Sequence, residues 1–380
     1  MQSFTFQTTP TILVEAGAAK RLGSLLAERG ARSVFLVTDR GIVSAGLQEG
    51  ALASLREAGL SVEIFDEVVA DPPEVVVEAA ARAARAARAD MVVGLGGGSS
   101  LDVAKLVALL CAGDVRLDDV YGVGLAKGPR LPLVLVPTTA GTGSEVTPIS
   151  IVTTRSGEKK GVVSPPLLPD VAILDADLTL GLPPHVSAAT GIDAMVHAIE
   201  AITSKRLRNP VSDALAKEAL RLLSANIRPA CLEPTREARE RMLLGSCLAG
   251  MAFANAPVAA VHALAYPVGA RFHVPHGLSN AMVLPGVIAF NAPECEPAYR
   301  EIVDIVFPGG DGAPAGERLA DGFRDLAAEL RLDIRLSAAG IGSDDLPRLA
   351  EDAMKQTRLL VNNPREVTYE DALAIYGAAL

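Results

Sequence analysis

The sequence predicts an α/β N-terminal domain built on a parallel sheet (residues 1–182), followed by an all-α C-terminal domain (residues 183–380). Three observations carry this. Short β-branched runs alternate with helical patterns over the first 180 residues, as expected where crossover helices join parallel strands. Two of the strands end in turns rich in glycine or hydroxyl residues. Past Pro183 the chain is rich in Ala, Leu, Glu and Arg at helical spacing, with few strand signals.

The strand candidates are Ser33–Thr38, Ser61–Phe65, Asp90–Gly94 and Leu131–Val136. Each is continuously apolar rather than alternating, which fits a sheet covered on both faces. A helical pattern spans Ala45–Ala58. Another follows Asp71-Pro72-Pro73, with Asp71 expected as N-cap and proline in the first turn. Arg82, Arg85 and Arg88 in its tail read as a solvated face. In the second half, helical patterns cover Val186–Leu264, Glu317–Leu330, Ser343–Leu359 and Thr368–Leu380. Six Gly or Pro among the ten residues Phe307–Gly316 mark a surface loop.

Composition narrows the function. The 380 residues carry 45 acidic and 35 basic side chains, a net charge of −10, so the positive footprint of a nucleic-acid binder is missing. The 49% hydrophobic content is enough for an ample core. Cys111, Cys231, Cys247 and Cys295 form no C-x-x-C pair and are expected as reduced thiols in a cytoplasmic protein. The first residues, MQSFTFQTTP, lack the basic and apolar regions of a signal peptide. No apolar run approaches the roughly 18 residues of a membrane span.

Gly94–Lys105 (GLGGGSSLDVAK) follows a strand and opens a helix expected over Ser100–Leu110. Gly96, Gly97 and Gly98 let the backbone approach a pyrophosphate, and the helix N-terminus offers free N–H groups to it. Ser99 adds a hydroxyl. A tight turn without a ligand is the alternative. Asp39 ends an earlier strand, where a carboxylate suits ribose hydroxyls and repels a 2′-phosphate, favouring NAD over NADP. Arg40 beside it points the other way, and a plain loop cap is the competing role. Pro137–Pro148 (PTTAGTGSEVTP) places Thr138, Thr139, Thr142 and Ser144 after another strand. These hydroxyls suit a cofactor or, equally, a polar turn. Asp193 and His197 are four apart on a helical pattern and share a face, a spacing that suits one metal ion but also an ordinary polar pair. His262, His273 and His276 follow.

Together GGGSSLDVAK, PTTAGTGSEVTP, GIDAMVHAIE, HALAYPVGARFHVPHG and NNPRE (Asn362–Glu366) resemble the iron-containing (group III) alcohol dehydrogenase family over nearly the whole chain. The resemblance implies a Rossmann-like nucleotide domain, a helical metal domain, a cleft between them, and the architecture shared with dehydroquinate synthase. It implies Asp193, His197, His262 and His276 as metal ligands. It implies NAD(P) contacts from Asp39, Gly97, Gly98, Ser99, Asp102, Thr138, Thr139, Thr142 and Lys160, and a substrate-pocket position at Phe253. One departure concerns proton transfer. Many members carry a further histidine four residues after the third ligand, where this chain has Tyr266. A tyrosine of unperturbed pKa about 10 is a poor base near neutrality, so His273 is the competing relay.

The expected chemistry is hydride transfer between NAD(P)(H) and a small alcohol/aldehyde or ketone pair. The metal would be Fe²⁺, with Zn²⁺ as the alternative. The expected partners are a small alcohol or aldehyde and, by family likeness, a second copy of the chain as a homodimer. A metal-independent reductase of the maleylacetate type would have lost part of the Asp/His set. A dehydroquinate-synthase-like lyase would need several basic residues near the histidines, and only Arg271 is there. A non-catalytic nucleotide-binding scaffold is the reading from outside enzymology.

Overall fold

The computed structural model describes residues 3–310 and 312–380. Met1, Gln2 and Asp311, part of the N-terminal segment and of the Gly/Pro-rich loop, lie outside the described residues. Nine strands are present among the described residues: β1 (Thr11–Val14), β2 (Ser33–Asp39), β3 (Ser61–Val68), β4 (Met91–Gly96), β5 (Gly122–Val123), β6 (Leu133–Pro137), β7 (Ile149–Thr153), β8 (Lys159–Val163) and β9 (Val171–Leu174). With them run α1 (Leu22–Ala27), α2 (Arg40–Ser44), α3 (Glu49–Glu57), α4 (Glu74–Ala86) and α5 (Gly98–Ala112). The helices that follow are α6 (Pro184–Thr203), α7 (Pro210–Leu232), α8 (Arg236–Asn255), α9 (Ala260–Phe272) and α10 (His276–Val306). The last four are α11 (Ala315–Glu329), α12 (Leu346–Met354), α13 (Thr357–Leu360) and α14 (Tyr369–Ala378).

The chain divides into two compact units. One comprises Thr8–Thr139 and Gly143–Gly181; the other comprises Leu182–Leu380, the segment ending at Gln7, and Ala140–Thr142. The first unit holds a six-stranded sheet in the order β1-β9-β6-β4-β2-β3, with every pairing parallel. Every residue of β4 and β6 is buried, and the pleat sends alternate side chains to two separate cores. Phe35, Val37, Val92 and Leu135 pack with α4 and α5. Val34, Leu36, Val93 and Val136 pack with α1 and α3 on the opposite face. This is a doubly covered, Rossmann-like parallel sheet, and it explains why its central strands read as unbroken apolar runs. The second unit is helical, as expected from its periodicity. No single helix among the described residues is long and apolar enough to cross a membrane.

Several local expectations need correction. Asp71 does not cap α4. Pro73 is the N-cap, and Asp71 adopts φ 50° while its carboxylate accepts from Lys159 Nζ at 2.7 Å. The helix expected over Ala45–Ala58 starts only at Glu49 (α3), after a turn in which Gly46 has φ 69°; α2 ends before it, at Ser44. The strands β1, β7, β8 and β9 went unpredicted. They have four or five residues each, and β1, β7 and β8 are partly exposed, so these three lack the continuous apolar run that marks the equally short β6. A three-stranded sheet, β5-β8-β7, lies apart from the main one. The 31-residue α10 also went unpredicted, because Pro285, Pro293 and Pro297 lie inside it. Each proline removes one backbone donor, but the helix keeps 17 buried residues, and that packing outweighs the lost bonds. The Gly/Pro-rich loop ends at α11, two residues earlier than expected, since Ala315 begins that helix.

Candidate active site

In the α/β unit, β4 ends at Gly96 and α5 starts two residues later, with Gly97 as its N-cap. A side chain at Gly96 would place its Cβ 2.7 Å from Ser100 Cβ and Oγ, so the turn admits only glycine there. The half-buried start of α5 borders a cavity of about 550 Å³. Asp39, Arg40, Glu67, Gly97, Gly98 and Ser99 are among the residues that line it. Asp39 also caps α2: Oδ1 accepts from the Ile42 N–H at 3.1 Å and Oδ2 from Ser100 Oγ at 3.2 Å. Its cap role and its place on the cavity wall are therefore compatible, since a carboxylate has about four acceptor positions.

The other residues expected at the cofactor do not line this cavity. Asp102 turns its carboxylate to the chain itself, accepting from Ser144 Oγ at 2.6 Å and the Ile151 N–H at 2.8 Å. Lys105, fully buried, lies 3.5 Å from Asp102 and donates to Ser144 Oγ, Thr147 Oγ1 and the Ile149 carbonyl at 2.7, 3.2 and 2.6 Å. The two residues thus clamp the hydroxyl-rich loop to α5. Thr138 is buried and donates its N–H to the Gly96 carbonyl at 2.9 Å. Thr139 lies beside Gly97. Thr142 falls in the three-residue segment grouped with the helical unit. Lys160, on β8, is half exposed and lies over the Tyr121 ring, 5.9 Å from its centroid.

Glu145, in the same hydroxyl-rich loop, is buried, with Oε1 unpartnered. Burial pushes its carboxyl up to about 7, against the pull of Lys105. A raised folded-state pKa means that the neutral form favours folding. That contribution is complete below the unfolded value near 4.5 and is lost as pH rises through about 7. Glu145→Gln is therefore expected to match the wild type at pH 4.5 and to exceed it at pH 8 by at most about 3 kcal/mol, at 1.36 kcal/mol per pKa unit. Urea unfolding at the two pH values checks this, and an equal difference at both would refute it.

In the helical unit, α6 presents Asp193 and His197 one turn apart, both buried. His262 sits in the first turn of α9, and His276 opens α10. The ligand atoms of Asp193, His262 and His276 lie within 4.8 Å of one another. His262 Nε2 and His276 Nε2 are 4.0 and 3.8 Å from Asp193 Oδ1. His197 joins through His262, their Nε2 atoms 3.0 Å apart and their rings stacked at 4.7 Å. The chemistry of this donor set fits a cation. His197 Nδ1 faces the Gly141 carbonyl at 3.2 Å, and His262 Nδ1 faces Glu200 Oε2 at 2.6 Å. A carbonyl oxygen and an ionised carboxylate both accept, so each Nδ1 is placed to donate outwards and each Nε2 is turned towards the cluster. Two imidazole Nε2 atoms thus meet at 3.0 Å beside a buried carboxyl, with Asn280 Nδ2 3.4 Å from His262 Nε2 and 3.3 Å from His276 Nε2. Burial pushes the Asp193 carboxyl up to about 6, against the pull of His262. His197 is driven well below the usual imidazole range by burial first, then by His262 and His276. Asn280 Nδ2 donates to Asp193 Oδ1 at 2.5 Å, while its own Oδ1 is buried without a partner. A positive centre between the carboxyl and the imidazole nitrogens would relieve this crowding of ligand atoms.

Phe253 stacks on His197 at 4.2 Å. Tyr266 lies one turn beyond His262, its ring 5.9 Å from His276 and 6.5 Å from His262. His273 is exposed and closes α9 in a left-handed conformation, φ 56°. No ring contact links it to the cluster among the described residues. Of the two candidate relays, Tyr266 is thus the one beside the histidines. Arg271 is paired with Asp352, Nε to Oδ2 at 2.6 Å, so it is not free to bind a phosphorylated substrate. Sequence reasoning missed Gly141, Glu200 and Asn280. Glu200 falls on the face of Asp193 and His197, and Asn280 lies one turn after His276, so helical spacing alone could have flagged both. Gly141 is brought in by a distant loop and left no such signal.

A cavity bordered by the glycine-rich turn of a parallel sheet and a buried Asp/His cluster in a helical unit fit the class of metal- and nucleotide-using enzymes. Comparison with known proteins narrows it. Residues 9–176 match the family model described as iron-containing alcohol dehydrogenase, and residues 187–380 match its C-terminal counterpart. Long-chain-alcohol dehydrogenase 1 of Geobacillus thermodenitrificans is 40% identical over 372 residues, spanning 96% of this chain and 93% of the relative. The crystal structure of a 1,3-propanediol oxidoreductase superposes with a TM-score of 0.95 at 34% identity, covering 100% of both chains. A sulfoacetaldehyde reductase from Bifidobacterium kashiwanohense, solved in complex with NAD⁺, gives 0.89 at 30% identity and covers 100% of this chain and 99% of that one. The chain belongs to the iron-containing alcohol dehydrogenase family, an enzyme family that uses iron and NAD(H). Its activity is alcohol/aldehyde oxidoreduction.

Proposed function

We propose that this chain interconverts a small alcohol and its aldehyde or ketone, exchanging the hydride with NAD, and that Asp193, His197, His262 and His276 hold the metal. The observation that carries this reading is the pair of imidazole Nε2 atoms 3.0 Å apart beside the buried Asp193. Four protein ligands favour Fe²⁺ over Zn²⁺, which in catalytic sites keeps three and an open position. When bound, the metal supplies a positive centre that stabilises negative charge on the substrate oxygen, worth several kcal/mol, and NAD takes the hydride.

The chain's own residues bind and orient. The N–H groups at the start of α5, reached over Gly97 and Gly98, suit the pyrophosphate, with Ser99 as a further donor. The remaining acceptor positions of Asp39 suit the ribose hydroxyls. Thr138, Thr139, Thr142 and Lys160 are assigned to the rest of the cofactor. Asp102 is assigned to holding the hydroxyl-rich loop through Ser144 and Lys105. The ring of Phe253, laid against His197, walls the substrate side and excludes water. The Tyr266 hydroxyl is assigned to hydrogen-bonding the substrate and relaying its proton, a role supported by its ring lying beside His262 and His276.

The test is a panel of short alcohols, diols, lactaldehyde and hydroxyacids on iron-loaded protein, read as NADH or NADPH absorbance. Relatives named for long-chain alcohols, 1,3-propanediol and sulfoacetaldehyde keep that panel broad. Turnover of none of them would overturn the proposal. Asp39→Asn retains an N-cap for α2 but removes the charge facing a 2′-phosphate. It is expected to shift the NADP-to-NAD ratio of kcat/KM roughly 10- to 100-fold towards NADP, since 1.4–2.8 kcal/mol of relieved repulsion scales as tenfold per 1.36 kcal/mol. An unchanged ratio would remove Asp39 from the cofactor site.

A further inference from the structure

We propose that Glu200 is a positioning residue for metal capture, fixing the tautomer and orientation of His262 and anchoring the turn that carries it. This rests on the metal reading above. Glu200 follows Asp193 and His197 along one face of α6 and is 3% exposed. Its two oxygens serve two successive residues of α9. Oε2 accepts from His262 Nδ1 at 2.6 Å, and Oε1 accepts from the Val261 N–H at 2.7 Å. Val261 lies in the first helical turn, whose N–H groups have no partner within the helix. The N-cap Ala259 provides no side-chain cap. Glu200 therefore caps α9 from another helix with one oxygen and sets the imidazole with the other.

The connection leading into α9 is tied down to match. Ser204, just past α6, donates Oγ–H to the Pro257 carbonyl at 2.7 Å. Asn362 Nδ2 donates to the Val258 carbonyl at 3.0 Å, and its own carbonyl accepts from the Lys205 N–H at 2.7 Å. Through Asn362, the Asn362–Glu366 segment thus holds the peptide that delivers His262 to Glu200. Because an ionised carboxylate cannot donate, His262 Nδ1 is held as the donor, with Nε2 turned towards Asp193 and His197. The negative charge behind the ring also strengthens Nε2 as a ligand. His197, by contrast, is backed by a neutral carbonyl.

Outer partners of this kind typically contribute 10- to 100-fold in metal affinity. Co²⁺ titration of metal-free protein against a competing chelator, with visible absorption recorded, gives affinity and ligand geometry without turnover. Glu200→Gln keeps the shape but cannot accept from both donors with full charge. It is expected to bind Co²⁺ about 10- to 100-fold more weakly, with shifted ligand-field bands. A solely structural role would lower the melting temperature of the metal-free protein and leave affinity and spectrum unchanged, and that result would overturn the proposal. If the Gln variant does not fold, Glu200→Asp, which draws the charge back from both donors, is judged by the same criterion. His262→Asn separates the two levels of failure. If it binds Co²⁺ as the wild type does, the metal assignment itself fails. If it does not bind while Glu200→Gln binds normally, only the role of Glu200 fails.

Discussion

Replacing His262 with alanine is expected to strip the protein of metal and to slow NAD-linked alcohol oxidation by at least about 10³-fold. The magnitude follows from the several kcal/mol a metal ion contributes to stabilising charge on oxygen, at tenfold per 1.36 kcal/mol. The same change does a second, separate harm. Glu200, 3% exposed, would lose its His262 partner, and a buried carboxylate left without its partner costs about 3–5 kcal/mol of stability. His262→Asn distinguishes the two effects. The asparagine amide falls near the position of Nδ1 and can still donate to Glu200, but nothing replaces Nε2. Metal analysis, thermal melting and NADH absorbance on both variants read the outcome. The expected pattern is metal and turnover lost in both, with stability falling further in the alanine variant. Full activity in a metal-free His262→Ala protein would sink the mechanism.

How much of this was legible in the sequence depends on the range over which each feature is determined. The central strands β2, β4 and β6 were readable because both faces of the sheet are covered, so burial left continuous apolar runs. β9 and β1, which complete the same sheet, were not. Each has four residues and is a strand because a neighbour pairs with it. α10 was hidden by three internal prolines, whose local cost is offset by packing that a sequence window cannot see. The site divides the same way. Asp193 and His197 share one helix turn, a local fact. His262 and His276 reach them from two other helices, and only resemblance to a family pointed there. Gly141 backs His197 from 56 residues away, and nothing in its own neighbourhood announces that. Glu200 was overlooked because an acidic residue near a helix end normally faces water. Asp102 was placed at the cofactor by the family resemblance alone; the packing that engages its carboxylate with Ser144, Ile151 and Lys105 is set by residues 42 and 49 positions away as well as by its own helix.

Gly277→Ala is the second change expected to have a large effect, and here two ordinary rules oppose each other. Alanine is the better helix former by about 1 kcal/mol, so propensity alone predicts a gain in α10. Packing predicts the reverse. A Cβ at Gly277 would lie 2.5 Å from the Ala189 carbonyl oxygen, 2.8 Å from its carbon and 3.3 Å from Asp193 Cβ. The first two atoms are backbone of α6 and cannot rotate away, so the two helices must separate. Overpacking of this kind costs about 1–3 kcal/mol or more, enough to cancel or exceed the gain in propensity. The consequence for the site is sharper than the consequence for stability. Gly277 directly follows His276, and the contact it permits brings His276 Nε2 to 3.8 Å from Asp193 Oδ1. Parting α10 from α6 by a few tenths of an ångström moves one ligand away from another. The variant is expected to melt no higher than the wild type and to bind metal at least about tenfold more weakly, a loss of roughly 1.4 kcal/mol. Differential scanning calorimetry and Co²⁺ titration measure both quantities. A more stable protein with unchanged metal affinity would mean that α6 and α10 do not approach this closely, and that the glycine after His276 is there for another reason.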